Sequence, residues 1–283
     1  EPVIRQAIAN FERSEGNGQA VALAYNDLGT LLGRKGDYAG AERAILRSLE
    51  IGRSQDDSTV LVPALTNLGR VLNEKGEFTR ADSAYKRALS LAERTGPPFH
   101  YLFLYQVLKA YGMDRGLLGL FVEADSLISR SLVIQQKMFP PGHPEIAGTI
   151  GLLGLARAEQ GKVPEADSLL RRSLAMLEQS LGPDHPVVGA ALANLAMVVI
   201  RKDDFPQAER LLRSALANNE KALGPEHPEI AGVLMTLSWV RWKRGDTAEA
   251  TSLLRRAIIM LDHTVGPEHL QTKAAKRALT ELR

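Results

Sequence analysis

Gly182-Pro183-Asp184-His185-Pro186 returns as Gly224-Pro225-Glu226-His227-Pro228, and this five-residue loop decides the fold. A shorter form, Pro141-Gly142-His143-Pro144, precedes the pair, and a decayed one, Gly266-Pro267-Glu268-His269-Leu270, follows it. The four histidines stand at positions 143, 185, 227 and 269, a constant step of 42 residues. A fixed period in this range marks a stack of repeated units in which each unit packs on its neighbours.

A second pattern runs inside the period. A pair of the Leu-Gly type occurs as Leu28-Gly29, Leu68-Gly69, Tyr111-Gly112, Leu153-Gly154, Leu195-Ala196 and Leu237-Ser238. Thirteen residues after the first member of each pair stands an alanine: Ala41, Ala81, Ala124, Ala166, Ala208 or Ala250. Four residues further on comes a large apolar residue: Ile45, Tyr85, Ile128, Leu170, Leu212 or Leu254. Apolar spacings such as Ile150, Leu153 and Gly154, then Ala166, Leu169, Leu170 and Leu174, are helical. Between the two helices lies a breaker: Lys35-Gly36-Asp37, Lys75-Gly76-Glu77, Gln160-Gly161-Lys162, Asp203-Asp204 or Arg244-Gly245-Asp246. A glycine just past a helix end supplies its left-handed cap. Each unit therefore reads as a helix–turn–helix hairpin, and its small residues let the two backbones approach closely.

These residues place repeats at 20–58, 60–96, 101–140, 144–182, 186–224 and 228–266 of one all-α array over 1–283. The third is the most divergent, with Asp114-Arg115-Gly116 and a second glycine, Gly119, where the others have a regular helix end. Its aromatics Phe99, Tyr101, Phe103, Tyr105, Tyr111 and Phe121 are expected to repack around a degenerate repeat, with Tyr101, Tyr105 and Leu108 on one face. Residues 1–15 look like the second half of a preceding unit, which suggests that the array continues upstream. Residues 268–283 look like a lone capping helix with a polar outer face.

The pattern of small residues, turn and period resembles the tetratricopeptide repeat, and the 42-residue step with its G-P-x-H-P loop resembles the kinesin-light-chain-like group. The resemblance covers nearly the whole chain. It implies a right-handed superhelical α-solenoid of antiparallel hairpins whose first helices line a concave groove. Carried across residue by residue, the groove has a polar part, Asn26, Asn67, Arg70 and Asn73, and an apolar part, Leu155, Met197, Ile200, Met235, Trp239 and Trp242. Asn194 repeats the place of Asn67, a residue type that in this family can bind a peptide backbone. The carboxylate clamp of some chaperone-binding relatives is only partly present. Asn26 and Asn67 fit it, but Thr30, Gln106 and Ala110 stand where its other members belong, so capture of an acidic C-terminus is not expected. Trp239 and Trp242, the two tryptophans of the chain, stand three residues apart on nearly one helix face. They either meet a partner or pack against the next helix and the cap.

The histidine series invites a metal reading, which geometry opposes. Zinc ligands lie about 2.0–2.1 Å from the ion, whereas packed helices are about 8–10 Å apart. Successive loops are separated by two helices, so their histidines cannot share an ion. The loops read instead as helix starts, with Pro144, Pro186 and Pro228 at the first helical position and Glu145 and Glu229 near the positive end of the dipole. No metal and no cofactor is expected.

Among 283 residues, 45% are hydrophobic and 24% charged, and the net charge is +2, with no long basic run. This composition gives no pull toward nucleic acid, and no apolar run approaches the ~20 residues of a membrane span. There is no cysteine, which excludes disulfides and thiolate sites. None of G-x-S-x-G, a P-loop, H-E-x-x-H or G-x-G-x-x-G occurs. The expected function is a non-catalytic scaffold that binds a protein or peptide in its groove. The alternatives are a regulatory or sensor segment of a larger protein, such as one carrying a kinase or transcription regulator, and a self-associating module.

Overall fold

The computed structural model describes residues 1–12 and 18–282, apart from the side chains of residues 5, 9, 11 and 12. The ends of the expected half-unit and capping helix thus lie outside the described residues. Among those described, the regular structure is helical throughout, in fourteen helices. In one unit, Glu1–Met138, these are α1 (Pro2–Glu12), α2 (Gly18–Arg34), α3 (Tyr38–Ser54), α4 (Ser58–Glu74), α5 (Phe78–Arg94), α6 (His100–Leu117) and α7 (Phe121–Met138). The other unit, Phe139–Arg283, holds α8 (Pro144–Glu159), α9 (Val163–Leu181), α10 (Pro186–Ile200), α11 (Phe205–Leu223), α12 (Pro228–Lys243), α13 (Thr247–Thr264) and α14 (Leu270–Glu281).

The first unit stacks the hairpins α2/α3, α4/α5 and α6/α7, with α1 on α2. The second stacks α8/α9, α10/α11 and α12/α13, with α14 on α13. The small residues of the repeat lie at the tightest points within hairpins. A Cβ added at Gly69 would stand 2.6 Å from the Tyr85 ring, and one at Gly154 would stand 2.9 Å from Leu170 Cγ. In the last hairpin Ser238 replaces the glycine, and its hydroxyl donates to the Ala250 carbonyl at 2.7 Å. A second small position, seven residues beyond each alanine, escapes the motif: Ser131 Oγ donates to Tyr105 O at 2.9 Å and Ser173 Oγ to Ala147 O at 2.7 Å. Both serines are buried, so these bonds satisfy hydroxyls that would otherwise weaken the contact.

The loops act as helix starts, and histidine itself is the cap. Nδ1 of His143, His185, His227 and His269 accepts the backbone N–H two residues on, at 3.2, 3.2, 3.3 and 3.3 Å. The sequence points to the prolines as the helix-start signal, because histidine is not among the usual capping residues. In the same loop Gly182 lies at φ 85°, a region costly for any residue with a Cβ.

The third hairpin is more regular than its sequence suggests. Asp114, Arg115 and Gly116 all lie inside α6, and Gly119 is the turn residue, at φ 76°. It stands 42 residues before Gly161, itself at φ 77°. Phe103, Tyr105 and Tyr111 are buried, but Tyr101 is half exposed and does not share the environment of Tyr105. The fifth hairpin is the one that departs at this turn, since Asp203 occupies the glycine position at φ 56°. Among the described residues, no side-chain bond holds Asp203 there. Asp203→Gly is therefore expected to raise stability by about 1 kcal/mol, read as a higher urea midpoint by tryptophan fluorescence. An unchanged or lower midpoint would contradict this account of the turn.

Successive hairpins are also tied by ion pairs across the stack. Arg80 reaches Glu42 at 2.7 Å and Arg130 reaches Glu93 at 3.3 Å in the first unit, and Arg213 reaches Glu249 at 3.0 Å in the second.

Candidate functional site

The groove residues expected from the sequence fall into two environments. In the first unit the first helices α2, α4 and α6 touch one another along the stack. There the polar residues turn to each other. Asn67 Nδ2 donates to Asn26 Oδ1 at 3.0 Å, and Arg70 donates to Asn67 Oδ1 at 3.4 Å. Asn26 is buried. Asn73 Nδ2 donates at 2.8 Å to Asp114, a buried carboxylate that also accepts the Tyr85 hydroxyl. Burial pushes the Asp114 carboxyl up, and the bonds from Tyr85 and Asn73 only partly offset this. Tyr85 stacks on Tyr111 with centroids 4.9 Å apart, and burial together with the bond to Asp82 pushes the Tyr111 hydroxyl up to about 12. The polar set thus knits α2, α4 and α6 together. Asp114 was missed because an acidic residue near a helix end reads as a turn signal.

In the second unit the first helices draw apart. A cavity of about 450 Å3 opens there, lined by Met197 and Ile200 of α10 and by Met235, Thr236, Ser238, Trp239 and Trp242 of α12. Leu254 of α13 and Ala278, Glu281 and Leu282 at the C-terminal end complete the wall. Five of the residues picked from the sequence, Met197, Ile200, Met235, Trp239 and Trp242, thus share one cavity. Leu155 is instead half buried against the core of this unit, and Asn194 is half buried outside the cavity lining. The contribution of α14 was missed because its lysines and arginines read as a polar cap. Ala278 and Leu282, four residues apart, were the signal that it also has an apolar face.

The lining is chemically simple. Thr236 Oγ1 donates to Gly232 O at 3.0 Å and Ser238 Oγ to Ala250 O, so both wall hydroxyls are already bonded within the protein. The rings meet neither of the two fates expected for them alone. Trp239 packs edge-on against Phe205, with centroids 5.8 Å apart, yet stays 39% exposed, and Trp242 stays 38% exposed. Lys243 Nζ lies 5.5 Å from the Trp239 centroid and 4.9 Å from that of Trp242. Such a cation–π arrangement holds the ring pair without covering it. Among the described residues, no three His, Asp or Glu side chains are placed to hold one metal ion, and no helix is long and apolar enough to cross a membrane.

α12 is fixed from behind by a buried carboxylate. Glu209 of α11 accepts from Arg241 at 3.0 and 3.2 Å, pairs with Arg213 at 2.8 Å and also meets Arg244. Burial pushes the Glu209 carboxyl up, but the bond from Arg241 and the charges around it pull harder and hold it below the usual carboxylate range. Arg241 lies between the two tryptophans in sequence, so this cluster anchors the helix that carries them.

The tetratricopeptide repeat family model matches residues 20–94, 145–221 and 190–262. The chain belongs to the tetratricopeptide repeat family, whose members generally mediate protein–protein interaction and scaffolding. No protein of curated function matches the sequence. Among solved structures, BtubC (BKLC) from P. vanneervenii is similar at 18% identity over 81% of this chain and 91% of that one, with a TM-score of 0.69. A candidate kinesin light chain from Podosopora anserina, solved for its nearly identical TPR-like repeats, is 25% identical over 62% of this chain and 84% of its own, with a TM-score of 0.55. A STAND-type signal transduction ATPase with a tetratricopeptide repeat sensor, from Pyrococcus horikoshii, matches 99% of this chain at 13% identity and a TM-score of 0.70; this chain spans 42% of it. These likenesses place the fold in the solenoid class, including its kinesin-light-chain-like members.

Proposed function

We propose that the protein is a non-catalytic scaffold that binds a partner protein or peptide through the face formed by its first helices, with the α10/α12/α14 cavity as the main contact. One observation carries this reading: five residues picked by repeat position line a single apolar cavity whose wall hydroxyls are already bonded. Such a cavity favours an apolar side chain, because insertion removes apolar surface from water and leaves both wall hydroxyls with their bonds. Met197 and Met235 add side chains that adapt to the shape of what enters. The polar set of the first unit holds its helices in register rather than offering free groups.

Trp239→Ala and Trp242→Ala are each expected to weaken partner binding by about 2 kcal/mol. The check is calorimetry with the purified partner, alongside circular dichroism to show that the partly exposed rings can be removed without loss of fold. Equal affinity of both folded variants and the wild type would remove the cavity from the binding site.

A further inference from the structure

A second site lies in the first unit, on a different set of residues. Between the C-terminal halves of α3 and α5, with the start of α4 beneath, is a cleft of about 300 Å3. Its floor is Leu49, Leu61, Leu65 and Leu91, and its rim is Arg53, Arg87 and Arg94 with Ser90. The arginines are exposed, while Leu49, Leu61 and Leu65 are buried.

The arginines of this unit divide into paired and unpaired ones, and these three are among the unpaired. Arg80, Arg115 and Arg130 are paired with Glu42, Asp82 and Glu93 respectively. Arg53, Arg87 and Arg94 make no side-chain ion pair or hydrogen bond among the described residues. Of the carboxylates near them in sequence, Glu50 is engaged by Arg47 at 2.6 Å and Glu93 by Arg130, Asp57 accepts from Gln19 and Thr59, and among the described residues Asp56 makes no ion pair with Arg53. Arg53 and Arg94 lie in the last turns of α3 and α5. There the negative ends of the helix dipoles favour a cation without neutralising it. Three like charges thus remain uncompensated around one apolar floor.

We infer that this cleft binds an acidic peptide segment of a partner protein, one that presents an apolar side chain beside its carboxylates. The planar guanidinium fork matches carboxylate oxygens two at a time. The leucine floor gives the neighbouring side chain a dry seat, and the volume is near the lower end for ligand clefts. The cleft shares no residue with the tryptophan cavity, so either can fail without the other.

The test uses the full chain and fluorescence anisotropy. The probes are a fluorescein-labelled dodecapeptide of Glu and Leu, its Gln-for-Glu counterpart, and phosphatidylserine vesicles. The acidic peptide should bind, weaken as salt rises, and bind about tenfold more tightly than the Gln peptide. Arg87→Glu should lose about tenfold in affinity, and so should the pair Arg53→Gln and Arg94→Gln. All these positions are exposed, and if Arg87→Glu does not fold, the milder pair serves as the readout. No binding of the acidic peptide, equal binding of the two peptides, full binding by the arginine variants, or preference for the vesicles would each overturn the assignment.

Discussion

Glu209→Gln is expected to destabilise the second unit by about 3 kcal/mol, because it leaves a nest of arginines around a neutral amide. Glu209 is 5% exposed and serves Arg213, Arg241 and Arg244 at once. Removing one partner of a buried ion pair costs about 3–5 kcal/mol, since the remaining charge stays desolvated and uncompensated. The lower end applies here because the side chains of Arg213 and Arg244 are 52% and 38% exposed and can turn toward water. Tryptophan fluorescence is the natural probe, as both tryptophans of the chain lie in α12, the helix that Arg241 anchors. The pH dependence has a fixed sign. A carboxyl held below its ordinary range contributes stability that is present above the unfolded value, about 4.3 for glutamate, and is lost as pH falls through the lower folded value. The gap between wild type and variant should therefore be full at neutral pH and close in acid. A gap that persists unchanged at low pH would mean that Glu209 acts through packing rather than charge. Loosening α12 should also weaken partner binding at the cavity without any change to its lining.

Gly29→Val is expected to cost about 3 kcal/mol in the first unit. A Cβ at Gly29 would stand 2.5 Å from Ile45 Cγ1 and 3.0 Å from the Ala41 carbonyl oxygen. The first atom could turn away, but the second belongs to the backbone of α3, so relief requires the two helices to separate. An alanine there would regain about 1 kcal/mol of helix propensity against this strain, whereas valine adds two more methyls and a stiff χ1. Urea denaturation followed by circular dichroism measures the loss, and a variant as stable as wild type would show that α2 and α3 can part at little cost. Ser238 shows the other solution to the same contact, in which a hydroxyl turns the close carbonyl into a hydrogen-bond partner.

The hairpins were legible because their signals are local. A glycine at a left-handed turn and apolar residues at helical spacing act within a few residues, and the repeat multiplies the signal. Gly119 was misjudged because Gly116 and Asp114 drew attention to the wrong place for the turn, although its 42-residue distance from Gly161 was in view. The histidine caps were half legible: the prolines marked the helix starts, and the ring nitrogens that close them are an uncommon choice. The wall supplied by α14 was not legible, because one helix end with an alanine and a leucine among cations gives no sign of which neighbour it will cover.

By itself the sequence determined the repeat, the hairpin, the turn chemistry and the set of positions that first helices can present. It could not decide which of those positions stay open. Arg70 and Trp239 stand at the same place in their repeats, as do Asn73 and Trp242. Yet Arg70 and Asn73 bond to Asn67 and Asp114, while both tryptophans line a cavity. The difference is the spacing of successive first helices: α4 meets α2 and α6 in the first unit, whereas α10 and α12 part in the second, and that spacing depends on how the second helix between each pair packs against both.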